Sequence, residues 1–328
     1  MKILISDYIS GLMPTHDYEI SIIKGGFPDA EIDIFEYTDD NREEFLNRIS
    51  DADALLTAYI HVDKEVFERA SKLKVVSISA TGFDNVDLAE ATKHSVGVCP
   101  IGEYCTIDMA EHTMALMLAL NKNLKSYAYD IDNDYQWRYN KPEPPTRIGN
   151  QTLGIFGFGK IGKAVAKLAQ GLGMKVIACD PYVQKSVAEA LGVELLSQDE
   201  VFERADVISS HMNLDADNKE YFTAKEFNKM KRRPIFLNLA RGLSVNENDL
   251  ADALDKGIVR AAGLDVLREE LPELKGHILA GRDNVIITPH AAFYSSQSMQ
   301  DLPRISSENI VYFLKGEKEK VFKLVNEV

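Results

Sequence analysis

"TLGIFGFGKIGKAVAKLAQGLGMKVIACDPY", residues 152–182, runs from a short apolar stretch through a glycine turn and an amphipathic pattern to a second apolar stretch. Gly157, Gly159 and Gly162 stand in G-x-G-x-x-G spacing, directly after a predicted strand and at the opening of a predicted helix. The spacing alone recurs by chance in turns; the strand before it and the helix behind it give it meaning. Gly157 permits the tight turn, Gly159 leaves no side chain to hold a pyrophosphate off the backbone, and Gly162 lets the helix pack close to the sheet. The helix N-terminus, opening at Lys160 and Ile161, then offers unpaired N–H groups to anionic phosphates. The second strand ends in Asp180, placed to accept hydrogen bonds from the hydroxyls of an adenosine ribose. That carboxylate would repel a 2′-phosphate and no Arg follows to neutralise one, so NAD(H) is expected over NADP(H).

The alternation extends in both directions. After 152–156 and 175–179, strands are predicted at 206–210, 234–239, 261–265 and 285–288. Thr223 with Glu226, and Ser244 with Glu247, read as capping boxes that open helices between them. Upstream, "KILIS", "EIDIFEY", "DALLTA", "KVVSISA" and "VGVCP" read as five strands. Strands alternating with helices imply parallel pairing, so the expected class is α/β with two doubly wound domains. "DMAEHTMALMLALNKNL" (108–124) is apolar on most faces and predicts a buried helix. "YDIDNDYQWRYNKPEPPTRIGNQ" (129–151) reads as a surface connection, because Pro142, Pro144 and Pro145 forbid a continuing helix. Its Trp137 is expected to pack against a seam between domains. "MQDLPRISSENIVYFLKGE" (299–317) is helical on pattern, with Pro303 expected to kink or restart it.

At 328 residues the chain exceeds what one core comfortably serves, which also predicts two domains. A formal charge of −14 argues against broad contact with nucleic acid or anionic lipid, both of which need clustered Lys and Arg. It leaves room for a small anionic substrate, since one local cation can dominate a pocket. "MKILISDYIS" reads as a first strand rather than a signal peptide. No apolar stretch approaches the roughly 18 residues that span a bilayer. Cys99, Cys105 and Cys179 are odd in number and lack metal-ligand spacing. Free thiols, no metal site and a reducing cytoplasm are therefore expected.

Three later strand ends bear on chemistry. "IFLNLARG" ends at Arg241, with Gly242 turning the chain; "AAGLDVLREE" ends at Asp265 and leads to Glu270; "VIITPH" ends at His290. Residues just past the carboxyl ends of parallel strands point into the crevice where ligands bind. Each has a structural alternative: a surface ion pair for Arg241, an acidic loop for Glu270, a turn for His290. Together they match the reduction of a 2-oxo acid, in which negative charge builds on the carbonyl oxygen as hydride arrives. Arg241 offers an always-charged fork for the substrate carboxylate and carbonyl. His290 would supply the proton, and Glu270, if paired with it, would favour the protonated ring.

"ATGFDNVD", "GFGKIG", "DPY", "NLARG", "GLDV…E" and "TPHAAFYS" make the chain resemble the D-isomer-specific 2-hydroxyacid dehydrogenase family over nearly its whole length. The resemblance implies a flavodoxin-like catalytic domain, split into 1–101 and 294–328, around an inserted Rossmann NAD-binding domain at 102–293. By position it assigns Arg241, Glu270 and His290 the catalytic roles. It implies that Asp265 holds the nicotinamide carboxamide, that Thr81 and Ala240 belong to the cofactor contacts, and that Ala80, Thr81 and Gly82 lend backbone N–H groups to the substrate carboxylate. Phe293 joins the implied substrate contacts, and residues 109–120 would lie at a homodimer interface. "GEYCTIDMAEHTMALMLAL", "DPYV" and "TPHAAFYSSQ" are most similar to the branch containing the C-terminal-binding proteins, NAD-linked corepressors on a dehydrogenase fold. Departures bear on the substrate. Ile78 stands where that branch carries a ligand-facing Arg, Phe293 where it carries a Trp, and the proline usual after the catalytic Glu is displaced to Pro272. The expected function is therefore NAD-dependent reduction of a small 2-oxo acid to the R-hydroxy acid, with glyoxylate and hydroxypyruvate among the candidates. The alternative is an NAD(H)-sensing binding protein.

Overall fold

The computed structural model describes residues 1–9, 11–140, 143–215 and 218–328. The chain forms two compact units, one from Met1–Tyr104 with Ser295–Val328 and one from Cys105–Tyr294.

The first unit is built on β1 (Lys2–Asp7), β2 (Glu31–Glu36), β3 (Ala54–Thr57), β4 (Val75–Ile78) and β5 (Gly97–Pro100). They pair in parallel in the order β2-β1-β3-β4-β5, the flavodoxin-like arrangement. Ala54–Thr57 and Val75–Ile78 are buried at every position. Such runs carry no alternation because helices cover both faces. The helix Ser298–Leu314 lies against β3, β4 and β5, and the carbonyl of Ser306 accepts a 2.8 Å bond from Ser77 Oγ. Pro303 neither ends nor restarts that helix, which runs unbroken through it.

The second unit carries β6 (Thr152–Phe156), β7 (Lys175–Cys179), β8 (Glu194–Leu195), β9 (Val207–Ser210), β10 (Ile235–Asn238), β11 (Ala261–Leu264) and β12 (Val285–Ile287). Their order is β12-β11-β10-β9-β6-β7-β8, parallel throughout. From β8 to β11 this is the 3-2-1-4-5-6 order of a dinucleotide fold, with β12 added at the edge. One face packs under the helices Thr106–Asn121 and Lys160–Gly171. The other is an aromatic core in which Phe156 stacks on Phe202 at 4.9 Å and Phe222 meets Phe236 edge-on at 5.0 Å.

Several local expectations are corrected. The helix predicted to reach Leu124 stops at Asn121, and Asn123 at φ +56° turns the chain into a second helix, Leu124–Asp132. The surface connection therefore begins only after Asp132; Pro142 lies outside the described residues. Trp137 packs against nothing extensive, being 92% exposed. Ser244 caps no helix; its hydroxyl donates to the Arg241 carbonyl, and Asn246 caps Glu247–Asp255 instead. Thr223 precedes a helix, but its hydroxyl donates to Glu226 rather than accepting from the helix N–H groups. Reciprocal boxes lie instead at Ser197 with Glu200 and at Thr38 with Asn41, and β8 was too short to show as an apolar run.

Candidate active site

The glycine turn joins β6 to the helix Lys160–Gly171. Gly157 sits at φ +86°, and a Cβ there would stand 2.7 Å from the backbone of His211. A Cβ on Gly162 would lie 2.3 Å from the Gly157 carbonyl, so the helix rests directly on the turn. Gly159 differs: a Cβ there meets no atom within 4 Å. Fold packing does not require that glycine, whereas a ligand pressed against the turn does. Gly159 is also the N-cap of a 12-residue helix and, having no side chain, caps none of its first N–H groups, the groups that face an anion at a helix N-terminus. The residues present thus fit a dinucleotide pyrophosphate.

Asp180 follows β7 and is held by its own surroundings. Oδ2 accepts from the Phe158 N–H at 2.7 Å and Oδ1 from the Tyr182 N–H at 2.8 Å. Its carboxylate lines a cavity of about 350 Å³ with Pro181, Leu196, Gln198 and Tyr221. The Tyr221 hydroxyl donates to Gln198 Oε1 at 2.6 Å, bracing one wall. Cys179 lines it too, its thiol pushed up to about 11 by burial and by the neighbouring carboxylate, and so stays protonated at neutral pH.

Arg241, Asp265 and His290 leave the carboxyl ends of the adjacent strands β10, β11 and β12. The Arg241 carbonyl accepts from Asn238 Nδ2 at 3.0 Å and Ser244 Oγ at 2.7 Å, and Nη1 donates to the Ala240 carbonyl at 2.9 Å. Gly242 is forced: a Cβ would fall 1.8 Å from the Leu267 carbonyl. The loop bearing Arg241 is therefore keyed into the segment that leads to Glu270.

Asp265 is buried, at 1% exposure, and organises the turn after β12. Oδ1 accepts from Thr288 Oγ1 at 2.5 Å and the Ala291 N–H at 2.9 Å; Oδ2 accepts from the Ala292 N–H at 3.0 Å. Its backbone carbonyl takes the His290 N–H at 2.8 Å. These bonds hold His290 at φ +51°, a conformation costing a non-glycine residue about 1 kcal/mol or more. The ring is thereby set with Nδ1 2.7 Å from Glu270 Oε2, and its side chain is 27% exposed. A carboxylate only accepts, so Nδ1 carries a proton, and proton exchange with a substrate falls to Nε2. Phe293 stands edge-on to the imidazole at 6.4 Å.

The expected pairing of Glu270 with His290 is thus present, and Arg241 shares their sheet edge. Lys160 and Ile161 open the helix after the glycine turn. Thr81, Ala80 and Gly82 follow β4 in the first unit, where Thr81 Oγ1 donates to the Gly102 carbonyl at 3.1 Å and the Ala80 carbonyl accepts from Ile101. Ile78 is fully buried in that unit's core. Reading the sequence missed Asn238, Thr288 and His112, whose bonds shape the site; "TPH" held a signal for Thr288, but the other two carry none. Among the described residues, no cluster could hold a metal ion and no helix is long and apolar enough to cross a membrane.

A family profile described as "D-isomer specific 2-hydroxyacid dehydrogenase, NAD binding domain" matches residues 114–292. The chain belongs to this family. D-3-phosphoglycerate dehydrogenase of Methanocaldococcus jannaschii is 35% identical over 99% of the chain, which spans 60% of that protein's length. Hydroxypyruvate reductase of Blautia hydrogenotrophica is 34% identical over 85% of the chain and 87% of its own length. The crystal structure of D-lactate dehydrogenase from Aquifex aeolicus, complexed with NAD and lactic acid, is 25% identical and superposes with a TM-score of 0.87 over 99% of both chains.

Proposed function

We propose that this 2-hydroxyacid dehydrogenase reduces a small 2-oxo acid to its R-2-hydroxy acid with NADH. The observation that carries the reading is the 2.7 Å pair of His290 Nδ1 and Glu270 Oε2, on the same sheet edge as Arg241. The nicotinamide ring, when bound, supplies or accepts the hydride. The residues Gly157, Gly159, Gly162, Lys160 and Ile161 would hold the pyrophosphate, and Asp180 the ribose. Its fixed carboxylate favours NADH over NADPH by repelling a 2′-phosphate.

His290 holds a proton at Nε2 and gives it to the carbonyl oxygen as charge grows there. Glu270, ionised beside Nδ1, stabilises the imidazolium that waits for this transfer. Arg241 binds the substrate carboxylate and polarises the carbonyl through its planar fork. Asp265 spends its oxygens on the His290 loop; by family position it is assigned a contact to the nicotinamide carboxamide, and Thr81 and Ala240 are assigned contacts to the cofactor. Ala80, Thr81, Gly82 and Phe293 are the assigned substrate contacts, and Phe293 beside the imidazole suits a small apolar group. Hydroxypyruvate fits one of the named relatives, glyoxylate is a further candidate of small size, and the first unit's sequence shows no Lys/Arg cluster for a phosphate.

A homodimer is proposed through residues 109–120 and the segment after them, where Tyr135, Trp137 and Tyr139 are 87%, 92% and 86% exposed. Light scattering would measure it. A cytoplasmic setting suits Cys99, Cys105 and Cys179, which form no disulfide among the described residues. The deciding experiment follows NADH and NADPH oxidation across a panel of 2-oxo acids, with His290→Ala as control. Turnover with NADH that falls by about 10²–10⁴-fold in His290→Ala, NADH binding retained, supports the enzyme. NADH binding with no turnover on any oxo acid would favour the binding-protein alternative instead.

A further inference from the structure

We propose that His112 is a positioning residue, acting through Thr288 and Asp265 to fix the loop that carries His290. This rests on the reading of His290 as the acid–base group. His112 lies on the helix Thr106–Asn121, whose other inward side chains are mostly apolar. Its Nε2 is 3.0 Å from Thr288 Oγ1 and 3.7 Å from Asp265 Oδ1, and its side chain is 25% exposed. Thr288 has one hydroxyl proton, and it goes to Asp265 Oδ1 at 2.5 Å. The Thr288 oxygen can therefore only accept from the ring, which makes His112 Nε2 the donor.

The direction of these bonds matters. His112 gives to Thr288, Thr288 gives to Asp265, and Asp265 receives the Ala291 and Ala292 N–H groups on either oxygen. Each donation polarises the next, so the imidazole strengthens the grip of Asp265 on the turn. That turn holds His290 at φ +51°, outside ordinary backbone territory, and it needs such restraint. Without the donor, the Thr288 hydroxyl is free to swing away from Asp265. The turn then relaxes and the His290 ring moves off its set distance from Glu270. A ring displaced by about 1 Å can lower turnover by roughly a hundredfold while leaving a distant cofactor contact unchanged.

The test compares the full chain with His112→Phe, which keeps the ring bulk, and His112→Gln, which restores an N–H donor at similar reach. Two readouts are taken: kcat and KM for a 2-oxo acid that turns over, and amide hydrogen exchange at Ala291 and Ala292. Expected is a loss of kcat of about ten- to a hundredfold in His112→Phe, NADH affinity within about twofold, and recovery in His112→Gln to within about threefold of the original. Exchange at both alanines speeds up in His112→Phe and is restored by Gln. Equal impairment of Phe and Gln variants, or a raised NADH Kd with kcat kept, overturns the proposal. So does unchanged exchange at the two alanines in His112→Phe, a result that can be read even if no oxo acid is reduced. Absence of turnover in the unmodified chain with the exchange pattern intact would instead sink the dehydrogenase reading and leave the loop's dependence on His112 standing.

Discussion

At the residue scale, Glu270 and Arg241 have separable duties. Glu270→Gln keeps an acceptor at Nδ1 but removes the charge that favours imidazolium, so kcat should fall about tenfold or more with little change in KM for the oxo acid. Arg241→Lys keeps charge but loses the fork. It should raise KM for the oxo acid by about ten- to a hundredfold and spare the KM for NADH; steady-state kinetics on both substrates checks the pair. A rise in NADH KM with the oxo acid unaffected would place Arg241 on the cofactor side. The sequence disclosed these side chains because a cation, a carboxylate and an imidazole at strand ends are conspicuous. It hid Asn238 and His112, which act through bonds to the Arg241 carbonyl and to Thr288, since an Asn ending a strand or a His on an apolar helix ordinarily satisfies only itself.

At the scale of elements, the glycines divide by what opposes them. Gly242 faces the Leu267 carbonyl at 1.8 Å from its absent Cβ and Gly162 faces the Gly157 carbonyl at 2.3 Å, whereas Gly159 faces open space. Gly242→Ala should therefore destabilise the second unit by several kcal/mol, read as a lower denaturation midpoint, because backbone opposes backbone and no side chain can yield. Gly159→Ala should leave Tm within about 2 °C while weakening NADH binding about tenfold or more. A Gly159→Ala chain with unchanged NADH affinity would remove the glycine turn from the cofactor site. The strands were legible because buried parallel strands are nearly continuous apolar runs, as in "ALLT" and "KVIAC". Their order was not, because neighbours such as β6 and β9 lie some fifty residues apart in the chain. The breaks at Asn123 and the caps at Asn246 escaped for a different reason. They depend on a left-handed turn and on which side-chain oxygen points where, and neither has an apolar period to betray it.

For the whole molecule, the half-buried ring of His211 and the buried carboxyl of Asp7, one in each unit, predict opposite responses to acid. His211 follows β9 in the second unit; its Nδ1 is buried without a partner among the described residues and its Nε2 lies 2.8 Å from Ser209 Oγ. Burial pushes this ring down from 6.5 to about 4. Asp7 ends β1 in the first unit at 2% exposure, and burial pushes its carboxyl up from 3.8 to about 6, although N–H groups of Ala58, Tyr59 and Tyr8 pull the other way. Between pH 7 and 5 an unfolded chain protonates His211 while the folded one does not, so the second unit loses about 2 kcal/mol. Over the same interval the folded chain protonates Asp7 and the unfolded one does not, so the first unit gains about 1 kcal/mol. Native-state hydrogen exchange, corrected for intrinsic rates and resolved by segment, should show the most protected amides of Cys105–Tyr294 weakening toward pH 5 while those of Met1–Tyr104 strengthen. His211→Gln keeps a group able to meet Ser209 but cannot titrate, so it should flatten the response of the second unit and leave the first untouched. A second unit whose protection still falls toward pH 5 in that variant would mean the acid sensitivity comes from elsewhere. The ring after β9 would then be charged or neutral without consequence for the fold.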